Sequence, residues 1–96
     1  MASEGNRLKI WRIEIKPSAG KQYLKLDKKT RQRIKNSLKE LEKEENPLFH
    51  ENVRPLTGKL KGDYRIRMGN WRVLFTPNRE TKVLHIYAIL PRSDVY

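Results

Sequence analysis

The period of the hydrophobic positions changes from strand-like to helical and back along this chain. Residues 8–15 (LKIWRIEI) mix aliphatic, aromatic and charged side chains in a composition typical of a strand, which ends before Pro17. A short helix is predicted over residues 17–25, and Asp27 can cap a second helix that ends near residue 45, before Asn46-Pro47. The apolar side chains of the second helix recur at i, i+4 and i+7, namely Ile34, Leu38 and Leu41.

Three strands are predicted after residue 62. The runs YRIRM, WRVLFT and KVLHIYAIL occupy residues 64–68, 71–76 and 82–90, and short turns separate them. Consecutive strands with short connections form an antiparallel meander. Residues 46–62 contain two prolines and two glycines and are expected to be a loop. The pattern predicts an α+β fold: an N-terminal strand, two helices, then a three-stranded antiparallel meander, with both helices packed on one sheet face.

The length and composition indicate one folded unit. With 96 residues, the chain is expected to form a single domain over residues 8–96, preceded by a flexible N-terminus at residues 1–7. The absence of cysteine excludes disulfides and thiolate zinc sites. No apolar run approaches the roughly 18 residues of a membrane span, and the start of the chain lacks the apolar stretch of a signal peptide. A cytoplasmic protein with no membrane partner is expected.

The net charge suggests a polyanionic partner. The chain has 22 Lys and Arg against 11 Asp and Glu, a net charge of +11. A nucleic acid, a ribosome, a membrane surface or an acidic protein would each fit, and so would a solvated basic surface kept for solubility. Between Arg54 and Arg72, six basic residues and one acid give a local charge of +5. The excess charge is therefore concentrated in the first two strands of the meander and the segment before them.

The predicted hairpin brings three arginines together. A two-residue Gly69-Asn70 turn pairs Met68 with Trp71, so Arg67 lies opposite Arg72. Strand alternation then puts Arg65 on the same sheet face. Like charges directly opposite in a sheet are destabilising, so folding does not favour this arrangement, whereas a bound anion would. The alternative is that these arginines pair with acids on the helices or on a neighbouring chain.

Other catalytic signals are weak. The sequence has no HExxH, GxSxG, Walker or GxGxxG motif. His85 lies in an apolar strand and is interpreted as a hydrogen-bonded core histidine, and His50 is expected to be exposed in a loop. The two histidines are too far apart to predict a metal site, and no carboxylate pair stands out. A nuclease of this sequence would work without a metal or another cofactor.

Two stretches resemble a known toxin superfamily. The segment LTGKLKGDYRIRMGNWRVLF at residues 56–75 and the C-terminal RSDVY at 92–96, together with KLD at 25–27, are similar to the RelE/ParE superfamily, closest to RelE. The resemblance covers about residues 8–96. It implies a microbial-RNase-like fold and a toxin of a type II toxin-antitoxin system. The implied activity is ribosome-dependent endoribonuclease cleavage of mRNA in the A site, by attack of the ribose 2′-hydroxyl on the adjacent phosphate.

The resemblance also implies which residues act and which partners bind. The implied catalytic residues are Arg65, Arg67, Arg72, Arg92 and Tyr96. The residues expected to bind RNA or the ribosome are Arg54, Leu56, Lys59 and Lys61. The partners are a cognate antitoxin, which wraps and inhibits the toxin, and a ribosome with its mRNA.

The general acid and base stay open. Several relatives have a histidine or another basic residue just before the position of Arg92, where this chain has Leu90 and Pro91. Arginine is a poor base because its pKa is above 12, so proton removal falls to Tyr96 or to a group of the RNA or ribosome. Two alternatives remain for the function: a ParE-like toxin that poisons DNA gyrase without nuclease activity, and an inactive RNA-binding scaffold of the same fold.

Overall fold

Five strands form one mixed sheet. A computed structural model describes residues 10–94. The strands are β1 (Arg12–Ile15), β2 (Val53–Pro55), β3 (Tyr64–Met68), β4 (Trp71–Asn78) and β5 (Val83–Pro91), in the spatial order β1-β5-β4-β3-β2. Strand β1 pairs with β5 in parallel, and all other neighbouring pairs are antiparallel.

Two helices connect β1 to the rest of the sheet. Helix α1 (Pro17–Leu24) begins with the proline that ends the preceding strand. Helix α2 (Lys28–Lys43) begins as predicted at Asp27, whose carboxylate accepts hydrogen bonds from the Thr30 N–H at 3.1 Å and the Thr30 hydroxyl at 2.6 Å. These bonds lower the pKa of Asp27 below its ordinary value, the hydroxyl contributing most.

Both helices cover the same face of the sheet. Ile34 and Leu41 of α2 and Ala19 of α1 are buried against inward side chains of the strands, which confirms the predicted apolar stripe and the α+β fold. Phe75 lies at the centre of the sheet, has no exposed surface and stacks on Tyr64 with ring centroids 6.0 Å apart. Neither of the two α-helices in residues 10–94 packs on the opposite face of the sheet.

Two details of the prediction were wrong, and one strand pairing was not foreseen. Strand β1 begins at Arg12 rather than at residue 8, although residues before 10 lie outside the described part. The predicted loop at 46–62 contains β2 and two 3-10 helices, Pro47–Phe49 and Gly58–Leu60. The meander prediction did not foresee β2 because three residues that include a proline carry no readable period. The parallel pairing of β1 with β5 joins positions far apart in the sequence and likewise leaves no local signal.

A bulge interrupts the alternation of β5. Leu74 pairs with Ala88 and Phe75 with Ile86, so Tyr87 is an extra residue in the ladder. Because of this extra residue, both Ile86 and Ile89 point into the core under the helices. Within residues 10–94, neither helix is long and apolar enough to cross a membrane.

We expect Phe75→Ala to lower the free energy of unfolding by about 3–5 kcal/mol, because it removes a fully buried ring and leaves a cavity. The matched control is Leu24→Ala at the end of α1, where the side chain is 70% exposed and the expected change is within about 0.5 kcal/mol. Urea denaturation measures both values. Equal values for the two variants would contradict the placement of the core.

Candidate functional site

The sheet face without helices carries a cluster of arginines. The arginine face comprises Arg54 of β2, Arg65 and Arg67 of β3, and Arg72 of β4. In the observed register Arg54 pairs with Arg65, and Arg67 pairs with Arg72. The predicted pairing of Arg67 with Arg72 is therefore confirmed, and β2 adds a second pair of facing arginines.

A two-residue turn fixes this geometry. Met68 pairs with Trp71, as predicted, and Gly69-Asn70 connects them. Gly69 has a φ of 59°, while Asn70 is not among the residues with positive φ. A positive φ at only the first central position is characteristic of a type II′ turn, which suits the twist of paired strands and favours glycine at that position.

Backbone carbonyls, rather than acids, hold three of the guanidinium groups. Arg65 donates to the Asn52 carbonyl at 2.9 Å. Arg72 donates to the carbonyls of Gly69 and Trp71, both at 2.9 Å. Arg54 in the same way donates to the two carbonyls of Glu51 and Val53.

The positive charge of the arginine face is not neutralised within residues 10–94. No carboxylate of that part of the chain forms an ion pair with any of the four arginines. Arg67 has only a long contact of 3.5 Å to the Asn52 side-chain oxygen. The alternative that acids on the helices pair with these arginines is therefore wrong for the described residues.

Burial and the crowding of positive charge lower the pKa values of two arginines. Burial lowers the pKa of Arg65, and the neighbouring guanidinium groups, that of Arg72 first, lower it further. Burial also lowers the pKa of Arg72, and the positive charges of Arg67 and Arg92 lower it further. Both groups remain cations near neutral pH because their ordinary values are so high. A bound anion would stabilise the charged form of both.

Arg92 lies at the same end of the sheet as Arg67 and Arg72. It begins a short 3-10 helix after β5, and its backbone N–H donates to the Asn70 carbonyl at 2.8 Å. This bond ties the C-terminal segment to the hairpin turn. Tyr96 lies outside the described residues.

The other predicted RNA-binding residues lie towards the opposite end of β3. Lys59 and Lys61 are exposed on the segment that precedes β3, and Leu56 in the same segment is buried. The Leu56 N–H donates to the Asp63 carbonyl at 2.9 Å, which closes this segment into a loop. The structure thus spreads the predicted basic residues along the length of β3 rather than gathering them at one point.

Asp63 is the acid nearest in sequence to the arginine face, and hydroxyl groups hold its carboxylate. It accepts hydrogen bonds from the Thr76 hydroxyl at 2.9 Å and the Tyr87 hydroxyl at 2.7 Å. Burial, and then the hydrogen bond to Asp63, raises the pKa of Tyr87 well above its ordinary value. Tyr87 therefore stays protonated near neutral pH and is unsuited to act as a base.

Arg33 of α2 extends the positive charge to the helix side of the hairpin. A Cβ atom at Gly69 would lie 3.1 Å from Arg33 Nη1, so this guanidinium passes directly over the turn. No sequence pattern indicates this placement, because the basic residues of α2 are typical of an ordinary solvated helix surface. It depends on how α2 docks over the end of β3.

The two histidines differ from the sequence interpretation. His50 was predicted to be exposed, but its side chain is only 11% exposed, and Nδ1 accepts a hydrogen bond from the Asn52 N–H at 3.0 Å. His85 is partly buried, as expected, but its Nδ1 has no hydrogen bond and lies 3.1 Å from Glu14 Oε1 in unfavourable geometry. Residues 10–94 contain no group of three or more potential metal-ligating side chains in binding proximity.

The sequence of residues 13–96 matches the family described as the ParE toxin of type II toxin-antitoxin systems, parDE. Curated protein sequences give no match. Among solved structures, the chain is similar to that of the archaeal RelE-RelB complex from Pyrococcus horikoshii, with 31% identity, a TM-score of 0.72, and coverage of 86% of this chain and 96% of that one.

Two bacterial structures share the fold at lower identity. The intact RelBE toxin-antitoxin complex of E. coli matches with 21% identity, a TM-score of 0.65, and coverage of 82% of this chain and 93% of that one. The YoeB/ParE toxin from Agrobacterium tumefaciens matches with 14% identity, a TM-score of 0.69, and coverage of 83% and 96%.

We expect Arg67→Gln to raise the free energy of unfolding by a few tenths to about 1 kcal/mol at low salt, because it removes a like charge opposite Arg72. The gain should shrink in 1 M salt, where the screening length is about 3 Å. Arg79→Gln, in the turn after β4, controls for the change in net charge. A loss of stability in Arg67→Gln, or a gain independent of salt, would mean that the facing arginines do not repel each other.

Proposed function

The chain belongs to the ParE toxin family of type II toxin-antitoxin systems, within the RelE/ParE superfamily, and we propose that it is a ribosome-dependent endoribonuclease that cleaves mRNA in the A site. The observation that carries this proposal is the arginine face with its unneutralised charge. Planar guanidinium groups bind phosphate through two parallel hydrogen bonds and stay charged at all physiological pH values. A surface of this kind suits a phosphate that gains negative charge during a reaction.

The proposed chemistry is an intramolecular attack within the RNA. The 2′-hydroxyl oxygen of the RNA attacks the adjacent phosphorus, its proton leaves to a base, and the bond from phosphorus to the 5′-oxygen breaks. That oxygen takes up a proton, so the products are a cyclic phosphate and a 5′-hydroxyl. Arg65, Arg67 and Arg72 would stabilise the charge on the pentavalent phosphorane, and Arg92 would approach the phosphate from the C-terminal segment.

The base in this proposal is Tyr96 or a group of the RNA or ribosome. Nearby arginines would lower the pKa of a tyrosine in the phosphate site by favouring the phenolate. Tyr87 is unsuited to this role because its pKa is raised. Tyr96 is assigned because the resemblance to RelE toxins implies a C-terminal tyrosine in the site. Arg54, Lys59, Lys61 and Leu56 would contact RNA or the ribosome beyond the cleaved bond.

We expect Arg72→Ala to reduce single-turnover cleavage of mRNA on the ribosome by roughly 100- to 1000-fold, the loss seen when one transition-state hydrogen-bond donor is removed. Primer extension on a translated mRNA measures the rate. The matched control, Arg79→Ala, removes an exposed arginine just beyond the other end of β4, about 20 Å away along the strand, and should cleave at the wild-type rate. Cleavage by Arg72→Ala at the wild-type rate would refute the site assignment.

A second candidate function is the poisoning of DNA gyrase, and the match of residues 13–96 to the ParE toxin family favours it. In that case the arginine face would contact a protein or its bound DNA without cleaving RNA. A gyrase supercoiling assay and the cleavage assay, run on the same preparation, separate the two functions. Binding of folded protein to RNA with neither activity would instead support an inactive scaffold.

The antitoxin would occupy an apolar groove on the helix side of the molecule. This groove has a volume of about 350 Å³ and lies between α1, α2 and the edge strand β1. Its apolar lining includes Ile13, Ile15, Tyr23, Ile34 and Leu38, with Lys35 and Lys39 beside them. One side of β1 is unpaired within residues 10–94, because this strand lies at the edge of the sheet. The P. horikoshii and E. coli structures are both toxin-antitoxin complexes, which supports a protein partner of this kind.

We expect Leu38→Glu to weaken binding of the cognate antitoxin by at least about 30-fold, since it places a charge in an apolar docking groove. Titration calorimetry measures the affinity. Cleavage should be unchanged, because Leu38 faces the helix side and the arginines face the other side of the sheet. Leu24→Glu, an exposed leucine outside the groove, is the control. Equal antitoxin affinity for wild type and Leu38→Glu would place the antitoxin elsewhere.

A further inference from the structure

Phe49 is an aromatic side chain left almost entirely in solvent. It is 85% exposed, more than any other large hydrophobic residue in the described part of the chain. Phenylalanine is among the residue types most often buried. Within residues 10–94, no aromatic ring or cation lies against its ring. Its exposure is therefore not offset by an aromatic or cation-π contact within that part of the chain.

The backbone that carries Phe49 is held firmly. Phe49 is the last residue of the short 3-10 helix Pro47–Phe49. Asn46 caps this helix, because its side-chain oxygen accepts a hydrogen bond from the Leu48 N–H at 3.1 Å. The Phe49 N–H donates to the Asn46 carbonyl at 3.0 Å. Pro47 is fully buried and Leu48 packs against the core. The ring thus projects from a hydrogen-bonded turn whose preceding residues, Pro47 and Leu48, pack against the core.

This turn leads directly into the arginine face. Asn52 follows Phe49 by three residues, and its carbonyl accepts hydrogen bonds from the Arg65 guanidinium and the Arg67 N–H, both at 2.9 Å. Three residues of chain span at most about 11 Å. The Cα atom of Phe49 therefore lies within that distance of a residue in direct contact with two arginines. One or two nucleotides of an extended single strand cover such a separation.

We propose that Phe49 is a stacking surface for a nucleobase of the RNA that the arginine face binds. This inference rests on the proposed RNA-binding function and adds to it a subsite for a base. Proteins that bind single-stranded RNA combine cations along the backbone with aromatic rings on which unpaired bases stack. The arginine face supplies the cations, and Phe49 is an exposed ring on the segment that leads into β2 at the edge of that face.

An RNA base fits this position better than a protein side chain does. A protein anchor is normally surrounded by a ring of further contacts that exclude water. Phe49 instead stands alone, since Leu48 turns into the core and Glu51 is exposed and charged. A base needs only one flat apolar ring, and any base can supply the matching face.

The test uses ribosomes programmed with mRNA that carries 2-aminopurine at one position in or next to the A site, with the ribose at the cleavage position 2′-O-methylated. Stacking on an aromatic ring quenches 2-aminopurine fluorescence. We expect wild-type protein to quench one of these positions, Phe49→Ala to lose that quenching, and Phe49→Tyr to retain it. Leu24→Ala, which removes another exposed apolar side chain, should behave as wild type.

A second measurement uses unmodified mRNA. Phe49→Ala should lower kcat/KM for cleavage by roughly 5- to 150-fold, the range expected for one base-aromatic stack. Replacing the quenched nucleotide by an abasic one should make wild type and Phe49→Ala equal, because the ring then has no base to stack on.

Three results would overturn the inference, and they differ from one another. Equal quenching by wild type and Phe49→Ala at every position means that Phe49 does not stack, while the proposed RNA-binding function stands. If Phe49→Ala quenches as wild type does but binds the antitoxin more weakly, Phe49 is a contact for a protein partner instead. Failure of wild-type protein to bind the programmed ribosomes refutes the proposed function and this inference together.

Discussion

The register of β3 against β4 determines both the core and the candidate site. The two-residue turn at Gly69-Asn70 fixes that register, and strand alternation then determines on which face of the sheet each side chain lies. The side chains that the turn sends towards the helices include Ile66, Met68, Val73 and Phe75. Those it sends to the opposite face include Arg65, Arg67 and Arg72. A slip of β3 by one residue against β4 would turn its apolar side chains away from the core and bury the guanidinium groups of Arg65 and Arg67. One short turn therefore specifies hydrophobic burial and cationic surface at once.

Backbone carbonyls hold three of the guanidinium groups of the arginine face, and no carboxylate of residues 10–94 forms an ion pair with them. A carbonyl accepts a guanidinium hydrogen bond and orients the group, but it leaves the positive charge intact. Arg72 is fixed in this way by the carbonyls of Gly69 and Trp71, and Arg65 by that of Asn52. An acid in the same place would have removed the repulsion and also the attraction for an anion. Repulsion between the facing arginines therefore lowers the folding stability locally, while the carbonyls keep the guanidinium groups oriented before a ligand binds.

Local chemistry decided which parts of this molecule the sequence could predict. The hairpin, the Asp27 cap and the stripe of Ile34 and Leu41 were predictable because each depends on residues within a few positions of one another. Strand β2, the burial of His50 and the position of Arg33 over Gly69 were not, because each arises only when distant segments meet. The same division applies to the candidate site. The pairing of Arg67 with Arg72 is local, whereas the contribution of Arg54 requires β2 to join the sheet. The link from Arg92 to Asn70 requires the end of β5 to reach the hairpin.

Strand β5 lies between β1 and β4, so the last strand of the chain joins the first strand to all the others. Helix α1 packs mainly against β5 as well. Until β5 has been synthesised, β1 has no neighbour in the sheet and α1 has nothing to cover. Contacts between such distant parts of a chain require closure of long loops, which slows folding. The order of strands thus ties completion of the sheet to the synthesis of β5, and a ribosome that has not yet made β5 carries β1 and α1 without their neighbouring strand.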